Sequence, residues 1–86
     1  DPEFAQHYLH QAFADIDDEG GQQAFLAALR HVVEARGGMS LVAERAGVSR
    51  ETLYRTLSPK GNPTLKTLRR VVSATGFPFS HLATAP

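Results

Sequence analysis

Apolar residues recur at helical spacing along most of the chain, and no stretch keeps the strict alternation that marks a strand. Phe4, Tyr8, Leu9, Ala12, Phe13 and Ile16 place one apolar stripe on a helix over about 2–16. Asp1-Pro2-Glu3 opens it, with Asp1 as N-cap, Pro2 at the first helical position and an acid in the first turn. The cluster Asp15 to Gly21 breaks it. Phe25, Ala28, Leu29, Val32 and Val33 predict a second helix over about 22–36, stopped by Gly37 at its C′ position. Ser40 is expected to cap a short third helix, about 41–46, which ends at Gly47. Ser49 caps a fourth, about 50–57, closed by Ser58-Pro59. Lys60-Gly61-Asn62-Pro63 leads to Thr64, the cap of a fifth helix over about 65–75 with Leu65, Leu68, Val71 and Val72 on its buried face. Gly76 ends that helix, and Phe77 is expected to fold back onto Val72 as in a Schellman stop. The fold class is therefore all-α, about five helices in one domain over 1–76, with 77–86 as an extended or partly mobile tail.

Met39 to Leu57 has the spacing of a helix-turn-helix. Ala43 is small where two helices must cross, and Gly47, four residues on, sits where the turn needs positive φ. Val48 fills the corner, while Leu53 and Leu57 anchor the second helix. On a wheel of 100° per residue, Arg50, Glu51, Tyr54 and Arg55 share the face opposite Leu53, where base edges would lie. Arg50 and Arg55 can each bond two acceptors of guanine. Glu51 can accept from cytosine, or it can pair with Arg55 at i,i+4 and only orient it. Ser40, Ser49 and Thr64 open helices, so their hydroxyls and nearby amides suit phosphates as well as caps. Thr52 and the cations Lys60 and Lys66 complete the candidate DNA-binding set, while Arg69 and Arg70 read as solvated surface.

Charge changes the picture more than composition does. The net charge of zero divides into −6 over residues 1–34 and +6 over residues 35–86, which suggests one differently charged partner per half. Hydrophobic residues make up 42% of the chain, too many for a disordered segment. The absence of cysteine removes disulfides, thiolate metal sites and cysteine nucleophiles, and it agrees with a reducing cytoplasm. No apolar run is long enough for a membrane span, and no signal-peptide pattern is visible. The chain begins at Asp1 rather than Met, which leaves an upstream segment open.

Ala46 to Ser58, followed by Lys60-Gly-Asn-Pro63, resembles the small HigA-like antidote proteins of addiction modules, helix-turn-helix antitoxins related to the Xre and lambda-repressor-like group. Asp1-Pro-Glu-Phe4 and the stretch from Ala28 to Gly38 share the resemblance, so it extends over residues 1–76. Thr56 departs from the broader pattern, being polar where a core residue is common, with Leu57 taking that place. The resemblance implies a cytoplasmic bacterial antitoxin, nucleoid-associated when on its operator, that binds a RelE/ParE-like (HigB-type) toxin and represses its own operon. That toxin class is basic and usually cleaves mRNA. The acidic half would then cover the toxin, with Asp15, Asp17, Asp18 and Glu19 as charges and Phe4 and Tyr8 as aromatic anchors, unless those rings face the chain's own core. A homodimer on double-stranded operator DNA is expected, with the fifth helix and Phe77/Phe79 as its surface. A stand-alone repressor without a toxin, or a protein-binding adaptor that uses the motif as scaffold, are the competing readings. No enzyme, cofactor or metal is expected. His7 and His10 share a face at i,i+3 without a wider ligand set, and the glycine pairs are helix stops rather than phosphate loops.

Overall fold

The structure is a computed structural model that describes residues 1–84. Its helices are α1 (Pro2–Ala14), α2 (Gly21–Ala35), α3 (Gly38–Ala46), α4 (Arg50–Thr56) and α5 (Leu65–Ala74), followed by a 3-10 turn (Phe79–Ala83). No strand occurs among the described residues. The last two residues of the expected tail, 85–86, lie outside them.

Three of the helices begin on a side-chain cap. Asp1 accepts from the Glu3 amide at 3.0 Å, Ser49 from the Thr52 amide at 3.0 Å and Thr64 from the Thr67 amide at 3.1 Å. Once formed, the helices bury one stripe each. Ala5 and Leu9 of α1 meet α2, where the Phe13 ring stands edge-on to Phe25 with centroids 6.0 Å apart. Phe25, Leu29 and Val33 carry the core along α2 to Val42 of α3, Leu53 of α4 and Val71 and Val72 of α5, all essentially without solvent exposure. The helix pair α3–α4 is thereby fixed against the body of the domain by a few apolar anchors, which leaves the outer face of α4 free.

Four expectations change. The third helix starts at Gly38, not after Ser40, because Met39 is itself a core residue. Met39, Val42, Ala43 and Ala46 form one i, i+3, i+4, i+7 stripe, so burying it winds Ser40 into the helix, where it caps nothing. Gly37 holds the N-cap position without a side-chain bond. Leu65 is 65% exposed, since it sits in the first turn of α5, and the buried face runs instead through Leu68, Val71 and Val72. The stop of α5 is only part of a Schellman motif: the Gly76 amide donates to the Ser73 carbonyl, but the Thr75 amide rather than that of Phe77 donates to the Val72 carbonyl. Arg36 Nε donates to the Thr75 carbonyl at 2.9 Å. Finally, residues 79–83 are neither extended nor loose. Leu82 is buried, Phe77 joins the core, and His10 Nδ1 lies 2.8 Å from the Leu82 carbonyl, tying this turn to α1.

The turn of the helix pair follows the sequence reading. Gly47 has φ +72° and ends α3, while Val48 packs half-buried against the core. A Cβ at Gly47 would meet nothing within 4 Å, so only backbone strain opposes a side chain there. Gly47→Ala is therefore expected to lose roughly 1–2 kcal/mol of stability, read from urea midpoints at unchanged m. An unchanged midpoint would mean that the turn does not hold the left-handed conformation.

Candidate nucleic-acid interface

Helix α4 has seven residues and leans on the core through Leu53 and Thr56, both buried, with Leu57 buried just beyond its end. That anchoring turns Arg50, Glu51, Tyr54 and Arg55 outward, and all four are exposed as expected. They do not stand independently. The Arg50 guanidinium carbon lies 5.5 Å from the centroid of the Tyr54 ring, and its Nη2 donates to the Tyr54 hydroxyl at 3.3 Å. Arg55 Nη2 and Glu51 Oε1 are 4.0 Å apart with both side chains largely in solvent. A pair so loose and so exposed contributes little, so Glu51 remains able to orient Arg55 or to accept from a partner.

Thr52 is half-buried and engaged in the cap: the Ser49 hydroxyl donates to Thr52 Oγ1 at 2.8 Å. Thr64 is built the same way, donating to Thr67 Oγ1 at 3.1 Å. Lys60 is exposed in the turn that follows α4. That turn is tight, since a Cβ at Gly61 would collide with the Thr56 carbonyl. Lys66 is exposed in the first turn of α5, and Ser40 is exposed on α3. The structure thus brings Arg50, Glu51, Tyr54 and Arg55 together on one face, and commits Ser49, Thr52 and Thr64 to helix starts.

One residue enters the site from outside the motif. Arg30 of α2 lies over the Tyr54 ring, its guanidinium carbon 5.7 Å from the centroid, while its Nε donates to Glu34 Oε1 at 3.1 Å. Tyr54 is therefore flanked by two guanidinium groups, one from α4 and one from α2. By charge alone Arg30 is only the single cation of the acidic half. Nothing local signals its role, because the reach from α2 to α4 is tertiary.

The neighbouring residue on α2, His31, faces a second aromatic group. Its Nδ1 lies 2.9 Å from the Tyr8 hydroxyl, and Tyr8 stacks on Phe4 with centroids 6.3 Å apart. Phe4 is 70% exposed, so these rings lie on the surface and are not part of the core. Asp15, Asp17, Asp18 and Glu19 are all exposed at and after the end of α1. Asp15 has a single polar side-chain neighbour, Gln11, at 3.4 Å. Among the described residues no group of three or more His, Cys, Asp or Glu side chains is placed to hold a metal ion. No helix among them is long and apolar enough to cross a membrane.

A family model described as probable addiction module antidote protein matches residues 1–83. The chain belongs to that family. A protein of Haemophilus influenzae described as uncharacterised is 40% identical over 74 residues, covering 86% of this chain and 71% of the relative. No solved structure matches the chain significantly. As an addiction-module antidote, the chain has a toxin partner in the general sense its family implies.

Proposed function

We propose that this antidote is the antitoxin of a type II module, which neutralises a RelE/ParE-like (HigB-type) toxin and represses its own operon by reading double-stranded DNA with α4. The observation that carries the reading is the outward face of α4, where Arg50, Tyr54 and Arg55 are exposed on a helix rigidly seated by Leu53. Two arginines next to an aromatic ring match the donors and apolar contacts that base edges in a major groove require. The hydroxyl-capped starts of α4 and α5 and the first amides of α3, which have no side-chain cap, suit flanking phosphates. Ser40, Lys60 and Lys66 stand near those starts in sequence and are assigned the same task.

The toxin surface is assigned to Phe4, Tyr8, Asp15, Asp17, Asp18 and Glu19. Stacked rings beside carboxylates offer an apolar anchor and a charge complementary to a basic protein. The repressor works as a homodimer in the cytoplasm, but Phe77 and much of Phe79 serve the chain's own core and do not supply the dimer anchors. Affinity purification from the native host tests both halves of the proposal. It should yield a basic partner of about 100 residues, and the complex should retard a duplex of its own promoter in preference to a scrambled one. Recovery without any protein partner, but with promoter binding, would leave a stand-alone repressor.

Arg30 gives a finer test. Arg30→Gln removes one of the two cations flanking Tyr54 and should weaken operator binding by about 0.5–1 kcal/mol. If Arg30 only orients the ring, the dependence of affinity on salt stays at the wild-type slope, whereas a direct phosphate contact would lower it by about 0.9. Unchanged affinity would remove Arg30 from the site.

A further inference from the structure

Between the end of α3 and the length of α5 runs an open groove of about 860 Å³. Arg45 lines it from the last turn of α3, and Lys66, Arg69 and Arg70 from successive turns of α5, with Gly47 and Ser73 along its length. No acidic residue lines it, and none of the four cations takes part in an ion pair among the described residues. We propose that this groove is a track for the DNA backbone, holding phosphates that flank the base pairs read by α4; the inference rests on the DNA-reading function proposed above.

Its place in the fold supports that occupant. Gly47 lies two residues before Ser49, the cap of α4, and Lys66 lies two residues after Thr64, the cap of α5. The groove therefore lies next to the segments that lead into α4 and α5, and Arg69 and Arg70 carry it onward along α5. Electrostatics gives a second argument. The chain has no net charge, so the long-range attraction that drives association with a duplex must come from a local concentration of cations. The outward face of α4 supplies Arg50 and Arg55 against Glu51, whereas the groove supplies four cations with no acid on its wall. The larger share of phosphate neutralisation then belongs to the groove. The α5 residues that read as solvated surface in the sequence acquire a ligand, and the cationic outer face of α5 would repel a second copy of itself.

The test uses the full chain and a labelled duplex of about 25 bp and arbitrary sequence, titrated by fluorescence anisotropy between about 20 and 200 mM NaCl, roughly the range over which counterion release is measurable. R45Q/K66Q/R69Q/R70Q should flatten the slope of log affinity against log salt by about 3–4, since each phosphate that is no longer neutralised lowers it by about 0.9. R45K/R69K/R70K, which keeps the charge, should retain the slope, and thermal melts of both variants establish that they are folded. A wild-type slope in the glutamine variant overturns the proposal, as does equal loss in the charge-preserving one. Binding of an acidic protein lost while the duplex slope is kept would assign the groove to that protein and also overturn it. R50A/R55A, titrated in parallel on the promoter duplex, separates the two levels. If base discrimination disappears in R50A/R55A while the glutamine variant keeps the wild-type slope, the groove proposal alone falls. Absence of any salt-dependent duplex binding by wild type sinks the DNA reading with it.

Discussion

Alanine at Arg50 and at Arg55 is expected to weaken operator binding by about 1–3 kcal/mol each, and to relax preference at particular base pairs rather than uniformly. Both side chains project from the one face of α4 that the core leaves free, and neither is held in a strong ion pair. They are not equivalent. Arg50 leans on Tyr54, so Arg50→Ala removes a donor and also frees a ring that remains flanked by Arg30. Arg55 has only a loose, exposed carboxylate neighbour in Glu51, so Arg55→Ala is the cleaner deletion. Arg50→Ala and Tyr54→Ala should therefore combine to less than the sum of their separate losses, while Arg55→Ala should add to either within about 0.5 kcal/mol. Anisotropy titrations of a set of single-base variants of the promoter duplex, at one salt concentration, give both affinity and preference. Intact affinity and intact preference in both alanine variants would show that α4 is not the reader.

The parts of this site that obey local rules are legible in the sequence. The 100° wheel puts Arg50, Glu51, Tyr54 and Arg55 on one face, and the structure leaves all four exposed around a buried Leu53. Ser49 and Thr64 are recognisable as caps because each precedes a helical stripe, and Gly47 because the turn needs positive φ. What escapes is tertiary. Ser40 has the local character of a cap, and only burial of Met39 moves the start of α3 back to Gly38. Phe4 and Tyr8 fit a helical stripe with Leu9, yet only Ala5 and Leu9 of α1 are buried; Tyr8 meets α2 at the surface through His31, and Phe4 stays exposed. Leu82 lies in a segment with little periodicity, and its burial depends on α1 and α5 already being assembled. Arg30 and Arg36 illustrate the same limit for charges. One flanks Tyr54 and the other caps the end of α5, although a count of charges weighs both only by sign.

Charge reversal at Asp15, Asp17, Asp18 and Glu19 should separate the two partners most sharply. These four side chains are exposed and clustered at and after the end of α1, and no ion pair engages them among the described residues. Lysine at all four turns a local charge of −4 into +4 without touching the buried stripe of α1 or α2. A toxin that presents a basic surface to RNA would meet repulsion where it now meets attraction. The loss should appear chiefly in the association rate, by about ten- to a thousand-fold at low salt, and should shrink as salt rises. The proposed anchors Phe4 and Tyr8 are left in place, so the dissociation rate should move less; truncating Phe4 to alanine should do the reverse, speeding dissociation with little effect on association. Duplex binding should survive the reversal and tighten slightly, because a like charge is taken away from the phosphates. Paired stopped-flow and anisotropy measurements on wild type and the reversed variant, against the co-purified toxin and the promoter duplex, make the comparison direct. Equal association rates with the toxin at low salt would remove the acidic turn from the toxin interface, while leaving the aromatic pair on α1 to be judged by its own variant.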